Sequence, residues 1–276
     1  MGLKIGVYGK ADLDHIEEIR SLRTHPSIER VYYEEVIAED LGCEGYPLNE
    51  MIEKEIDFIM SIGGDGTLLR LMQYTNLPAL GVNTGTVGFL TNIEISEVDG
   101  ALKKIDDGDH FIDERSKLDV MLNEEKIGEC TNEVVIHSDK VAKLREMEVY
   151  YGSNLIDKFR ADGVIIATPT GSTCYAMSAG GPIVNPKLDL FVIVPLSPFD
   201  MATKPHIVPT DEPVKVKLTE EDKAGLVVLD GQKTEPFSKK DELEIRPSDD
   251  RAKLISFEDN FYDKIKEKLV SKTVFR

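Results

Sequence analysis

Residues 56–72 read Ile56-Asp57-Phe58-Ile59-Met60-Ser61-Ile62-Gly63-Gly64-Asp65-Gly66-Thr67-Leu68-Leu69-Arg70-Leu71-Met72. An apolar run passes through a glycine turn into a leucine-rich stretch with helical spacing. A strand that ends in glycines and feeds a helix lets backbone N–H groups close around phosphate oxygens. Gly63, Gly64 and Gly66 keep side chains out of the way, so a ligand can approach the main chain, and Thr67 completes the candidate phosphate loop. Asp65 is the one carboxylate in that loop. Beside phosphates it would hold a magnesium ion or accept a hydroxyl proton. A tight turn whose aspartate bonds its own backbone explains the pentapeptide equally well, so the rest of the chain decides.

Around this loop, the first hundred residues alternate strand and helix. Leu3–Tyr8 reads as a first strand and not as a signal peptide, and Asp12 caps a helix carrying Leu13, Ile16, Ile19 and Leu22 on one face. Val31–Ile37 reads as a strand, Leu48–Lys54 as a helix, Ile56–Ile62 as a buried strand and Thr67–Tyr74 as a helix. Pro78–Asn83 follows as a strand running into a second glycine loop, Gly81-Val82-Asn83-Thr84-Gly85-Thr86-Val87-Gly88-Phe89-Leu90. This rhythm predicts a parallel sheet with helices on both faces, and ligands in such sheets collect at the carboxyl ends of the strands. Phe89 either stacks on a ring or fills the core.

After about residue 99 the pattern changes to short β-rich runs: Ser116–Asn123, Lys126–Ser138, Glu146–Tyr151, Asn154–Arg160, Gly163–Thr168, Asp189–Pro195, Pro213–Lys217, Gly225–Leu229 and Glu242–Ile245. One helical segment, Ser172 to Ala179, interrupts them. Strand Lys253–Phe257 and helix Phe261–Leu269 then pack back on the first domain. The expected division is therefore an α/β domain over 1–98 plus 250–276 and a β-rich domain over 99–249.

Within the β-rich half, Thr131-Asn132-Glu133 sits in a strand run. An amide beside a carboxylate suits ribose hydroxyls or a base edge, although such a pair also occurs on solvent-facing strands. The stretch Asp162-Gly163 … Thr168-Pro169-Thr170-Gly171-Ser172-Thr173-Cys174-Tyr175-Ala176-Met177-Ser178-Ala179-Gly180-Gly181-Pro182 ends a strand with Pro and Gly and opens a helix lined with small residues, against which a flat group can lie. A capping turn accounts for Ser172 and Thr173 but not for so many small and hydroxyl residues together. Lys143, Arg160 and Arg70 are candidate phosphate partners or solvated charges. Asp230-Gly231-Gln232 reads as a hairpin turn, functional only if Gln232 points at the ligand.

Bulk properties set limits. The 276 residues, 41% apolar and 30% charged, suit a globular chain of two modest domains. A net charge of −18 argues against nucleic-acid and anionic-membrane partners. Cys43, Cys130 and Cys174 are too scattered for a disulfide framework or zinc site, which fits a reducing cytoplasm. No apolar run approaches the ~20 residues that span a bilayer.

Taken together, Gly63–Thr67, Gly81–Leu90, Asn132-Glu133, Asp162-Gly163 through Pro182 and Asp230-Gly231-Gln232 resemble the NAD kinases, which phosphorylate NAD to NADP. The resemblance spans most of the chain. The first motif is shared with diacylglycerol-type lipid kinases and phosphofructokinases, the second and fourth with neither. It implies a phosphofructokinase-like α/β domain, a C-terminal β-domain, NAD held between them, and a homo-oligomer, dimer or tetramer. It implies Asp65 as catalytic base and an NAD-contacting set of Asp65, Gly66, Arg70, Asn132, Glu133, Lys143, Arg160, Asp162, Thr173, Cys174, Tyr175, Ala176, Met177, Ser178 and Gln232. ATP or polyphosphate would be the phosphoryl donor, with Mg²⁺ or another divalent cation. The alternatives are a lipid or sugar kinase sharing the loop, or a non-catalytic NADP-binding protein. This chain departs from the family at Pro198-Phe199 … Lys204-Pro205, which lacks the family's His and has Lys in place of Arg. It also departs at Cys174, where alanine is expected.

Overall fold

The computed structural model describes residues 2–9, 15–85, 88–221 and 223–270. The helix start expected at Asp12 and Leu13, and Thr86 and Val87 of the second glycine loop, lie outside them. The chain divides into two compact units, residues 1–114 with 253–276 and residues 115–252.

The first unit opens with β1 (Leu3–Gly9), α1 (Ile16–Ser21), β2 (Ile28–Tyr33), α2 (Glu35–Leu41), α3 (Leu48–Ile52) and β3 (Phe58–Ile62). It continues with α4 (Asp65–Met72), β4 (Ala79–Asn83), β5 (Ile93–Glu94) and α5 (Val98–Asp106). The strands run parallel in the order β2-β1-β3-β4, with β5 beside the end of β4. β3 and β4 are buried along their whole length, as expected of central parallel strands covered on both faces. Ile5, Phe58, Ile62, Leu80 and Val82 share one core with Ile19 and Leu102, each such burial contributing roughly 1.5–3 kcal/mol.

Two expectations fail here. The apolar run Val31–Ile37 is not one strand, because Glu34 accepts the Val36 N–H at 3.2 Å and caps α2, turning the chain after Tyr33. Helix α5, taken in the sequence as part of the β-rich half, buries Val98, Ala101, Leu102 and Ile105 in the first core, so this unit runs to residue 114.

The second unit holds β6 (Phe111–Leu122), β7 (Glu125–Cys130), β8 (Glu133–Ser138), β9 (Arg145–Tyr151), β10 (Asn154–Ala161) and β11 (Gly163–Ala167). After α6 (Tyr175–Ser178) come β12 (Leu190–Leu196), β13 (His206–Pro209), β14 (Val214–Leu218), β15 (Gly225–Leu229), β16 (Lys233–Phe237) and β17 (Leu243–Ser256). A six-stranded antiparallel sheet takes the order β13-β12-β11-β8-β15-β16. β10, β9, β14 and the first half of β17 pair antiparallel, and β6 pairs β7. Alternation sorts the faces of the six-stranded sheet. Val134, Ile136, Val164 and Ile166 enter the core shared with Met147, Val149 and Val216, while Val135, Ile165 and Ala167 pack with Ala176 and Val184 on the other face.

The run Lys126–Ser138 is two strands, broken at Thr131-Asn132 and paired to different neighbours. Glu242–Ile245 and Lys253–Phe257, read separately in the sequence, belong to the single strand β17. Leu254 near its end pairs parallel with Ala79, and α7 (Phe261–Ile265) follows. Among the described residues no helix is long and apolar enough to cross a membrane.

Candidate functional site

The glycine loop of the first unit is built by geometry that only glycine meets. Gly63 has φ +146°, and a Cβ there would press on Thr67. Gly64 is the N-cap of α4 and has no side chain to satisfy the first turn. Thr67 and Leu68 N–H groups return to the Gly64 carbonyl at 3.0 and 3.3 Å, leaving those of Asp65 and Gly66 as the orphan donors of the helix start. Gly64 and Gly66 are exposed, so those donors can meet an anion from outside.

Asp65 does not bond its own turn. Its Oδ2 accepts the Phe89 N–H at 2.7 Å. Its Oδ1 accepts the Leu90 N–H at 3.2 Å, the Thr91 N–H at 2.9 Å and the Thr91 hydroxyl at 3.0 Å. Oδ2 carries a single donor against three on Oδ1, so it is the oxygen with acceptor capacity left. Gly88 sits against this carboxylate so closely that a Cβ would overlap it. Thr91 Oγ1 also accepts from Gly88 N–H at 3.0 Å and from Asn83 Nδ2 at 3.1 Å, closing the second loop. Phe89 is half-buried, with the Lys268 ammonium 4.8 Å from its ring centroid. It neither fills the core nor stands free.

Arg70 lies five residues beyond Asp65, roughly 140° around the helix. It lines a cavity of about 500 Å³ with Tyr8, Glu34, Leu48, Ile52 and Tyr74. Burial raises both the Tyr8 phenol and the Glu34 carboxyl, the first tempered by the Arg70 charge and the second chiefly by the Val36 N–H. Asp65 and Arg70 therefore leave the helix in different directions.

In the second unit the structure gathers Asn132, Glu133 and the 168–178 segment. Thr168 N–H donates to the Asn132 carbonyl at 2.8 Å and its hydroxyl donates to the Thr131 carbonyl at 2.6 Å. Gly171 lies so near the Asn132 carbonyl that a side chain would overlap it. Asn132 Nδ2 donates to Cys174 Sγ at 3.3 Å, while Asn132 Oδ1 is buried without a partner. Thr173 is buried and bonds the Thr170 carbonyl, Ala176 is fully buried, Met177 is half-buried, and Tyr175 and Ser178 are exposed. The helical segment expected over Ser172–Ala179 is a 3₁₀ turn, Gly171–Thr173, followed by the single turn of α6. Ser172 does not cap it. Its hydroxyl donates to the Pro169 carbonyl at 2.6 Å and accepts the Val184 N–H at 3.0 Å.

Asp162 is half-buried between β10 and β11, its backbone joined to Ser138 and Leu196. Arg160 is exposed on β10 with its guanidinium 5.9 Å from the Phe199 ring centroid, and Lys143 is exposed between β8 and β9. Gln232 is exposed in the β15–β16 turn, its N–H bonded to the Leu229 carbonyl.

The residue that sequence reasoning passed over is Asp230. It is buried at φ 45°, and its carboxylate accepts the N–H groups of Thr131 (2.8 Å), Asn132 (2.8 Å) and Glu133 (3.0 Å). Hydrogen bonds to a charged acceptor contribute about 1.5–3 kcal/mol each, so Asp230 fixes the break between β7 and β8. Its only sequence signal was an Asp-Gly turn. Glu133 is 8% exposed and its Oε2 has no partner. Burial first, and then the Asp230 charge, push its carboxyl up to about 8.

No group of three or more His, Cys, Asp or Glu side chains suited to a metal occurs among the described residues. A divalent ion here would arrive on a ligand's phosphates and keep most of its waters, because the Asp65 carboxylate is already held by four donors.

Residues 21–110 match the ATP-NAD kinase N-terminal domain and residues 131–257 the ATP-NAD kinase C-terminal domain. The NAD kinase of Methanosarcina acetivorans is 38% identical over 96% of this chain and 98% of its own length. That of Thermoplasma volcanium is 39% identical over 90% of each. The crystal structure of an NAD kinase from Archaeoglobus fulgidus in complex with ATP superimposes with a TM-score of 0.79 at 30% identity, covering 98% of this chain and 99% of that one.

Proposed function

This chain belongs to the NAD kinase family, and from that premise we propose that it transfers the terminal phosphoryl group of ATP to the 2′-hydroxyl of the adenosine ribose of NAD, giving NADP. The observation that carries the site assignment is the Asp65 carboxylate, held by four donors yet keeping an acceptor position on Oδ2 beside an exposed glycine loop.

Phosphoryl transfer relies on positioning and charge neutralisation, because its transition state is loose. The loop of Gly63, Gly64, Gly66 and Thr67 receives the donor phosphates, on the Asp65 and Gly66 N–H groups left over at the α4 start. Asp65 accepts the hydrogen bond of the ribose hydroxyl and aims its oxygen at phosphorus. A carboxylate is a far weaker base than the alkoxide of a sugar hydroxyl, so the proton passes to it late, as the new O–P bond forms and the bond from phosphorus to the departing ADP oxygen breaks. Asn132, Glu133, Asp162 and the Thr173–Ser178 segment hold the dinucleotide, with Gly66, Arg70, Lys143, Arg160 and Gln232 as further contacts. A divalent cation bound to ATP would supply neutralisation of the donor phosphate charge.

The parallel order and glycine loop of the first unit support reading it as phosphofructokinase-like. Three free cysteines and an acidic chain support a cytoplasmic enzyme with neither nucleic-acid nor membrane partners. A homo-oligomer, dimer or tetramer, is proposed by family resemblance.

The test is incubation of the purified chain with NAD, Mg²⁺ and either ATP or polyphosphate, with an NADP-specific dehydrogenase as readout. NADP should form with ATP and require both substrates. A chain that binds NADP but makes none from NAD with either donor would overturn the proposal; diacylglycerol and fructose 6-phosphate serve as competing acceptors.

A further inference from the structure

Asp230 takes no part in the reaction proposed above, yet its carboxylate lies buried beneath the two residues that the dinucleotide is proposed to meet. Three N–H donors from Thr131, Asn132 and Glu133 converge on it, an arrangement that favours the ionised form of a carboxyl. In return, the Asp230 N–H donates to the Glu133 carbonyl at 3.0 Å. Glu133 thus has an anion for its neighbour, little water, and an Oε2 with no partner. Burial and a neighbouring negative charge both favour the neutral form of a carboxyl, and the proton stays on the one with fewer donors.

Among the described residues, burial and the Asp230 charge are what shift Glu133. The β11 residue opposite Glu133 is Ala167. Cys130, at the end of β7, is a buried thiol whose pKa burial raises well above its usual value. Glu129, next to it, is engaged by Lys117 and Lys126. Cys174 meets Asn132 through its sulfur. Asp230 is the one charge acting on Glu133 among the described residues.

We propose that Asp230 is a positioning residue that fixes the backbone of Asn132 and Glu133 and, together with burial of the site, keeps Glu133 a neutral carboxylic acid, so that Glu133 donates a hydrogen bond to an uncharged acceptor atom of NAD. Read from the sequence, the Asn132-Glu133 pair presented an amide and a carboxylate. In the fold it offers an amide oxygen that accepts and an acid O–H that donates, the amide nitrogen being engaged by Cys174 Sγ. This inference rests on the proposed function for the identity of the ligand, though not for the protonation of Glu133.

Two measurements test it. In the first, the carboxyl ¹³C resonance of Glu133 is followed against pH in the unliganded chain. Its midpoint should lie near 8 in the wild type and fall towards the ordinary carboxylate range in Asp230→Asn, which keeps one acceptor oxygen for the backbone N–H groups. A wild-type midpoint among the ordinary carboxylates overturns the proposal without reference to any variant. In the second, the KM for NAD is measured from pH 7 to pH 9. Wild-type KM should rise about tenfold as the acid ionises, and in Glu133→Gln the ratio of KM at pH 9 to KM at pH 7 should approach one, with kcat following its own profile. A flat wild-type KM in a chain that does form NADP overturns the donor role alone. A chain that titrates as expected but forms no NADP supports Asp230's hold on Glu133 and removes the proposed function instead.

Discussion

The Asp65 carboxylate accepts the N–H of Phe89, 24 residues along the chain, at 2.7 Å, so the two glycine loops form one hydrogen-bonded unit. Asp65 is therefore a fastening as well as a candidate base, and the two roles predict different losses.

Asp65→Asn should cut turnover by roughly 10²-fold or more, the usual range for a positioned acid–base group. An amide in this place turns an NH₂ towards the N–H donors of residues 89–91, so hydrogen-exchange protection at Phe89 and Thr91 should fall as well. Steady-state kinetics with NAD and an exchange map check both. Near-normal turnover would remove Asp65 from the chemistry.

Gly88→Ala places a methyl group on the Asp65 carboxylate. Asp65 and the second loop must separate, while the buried strands β3 and β4 keep their packing. Turnover should fall at least tenfold, the scale expected when a catalytic group is displaced by about an ångström, with far-ultraviolet circular dichroism unchanged. Full activity in the alanine variant would show that the fastening has no catalytic consequence.

Ser172→Ala removes the acceptor of the Val184 N–H at a fully buried position. An unsatisfied buried donor costs about 1–3 kcal/mol, which in a chain of this size lowers Tm by several degrees. Calorimetry reads this directly. An unchanged Tm would mean that the 168–184 segment can find another partner for that group.

Glu133 gives stability a pH dependence whose sign is fixed. Its carboxyl is raised from 4.5 to about 8 in the folded chain. Between those values the native state therefore binds the proton that the unfolded state has lost. The contribution is complete below about 4.5 and is lost as pH rises through 8. Glu133→Gln, which cannot ionise, should lose less Tm than the wild type between pH 5 and pH 8.5. Parallel thermal melts of the two proteins decide the matter, and coincident pH profiles would contradict the raised carboxyl.

Much of the fold was legible before any coordinates. The apolar run ending in Gly63 and the run ending at Asn83 are short, bounded by turn residues and buried on both faces, which is how parallel strands read. The β-rich half was legible as alternating strands of even spacing. Where the reading failed, a side chain had redirected the backbone. Glu34 caps α2 within an apolar run that looked like a strand, and the Asp230 carboxylate draws Thr131 and Asn132 out of what looked like one continuous strand while holding Glu133 at the start of β8.

Local chemistry alone determined the glycine turns, the small-residue stretch at 171–178 and the list of polar residues available for a dinucleotide, because backbone freedom and side-chain size are properties of each residue wherever it sits. Tertiary structure decided which of those polar groups meet. The partners of Asp65 and of Asp230 lie some 24 to 99 residues away along the chain, and only strand register and packing bring such donors within 3 Å. The same burial decides that Glu133 keeps its proton, since removal from water and a neighbouring negative charge are features of a folded place and not of a residue type.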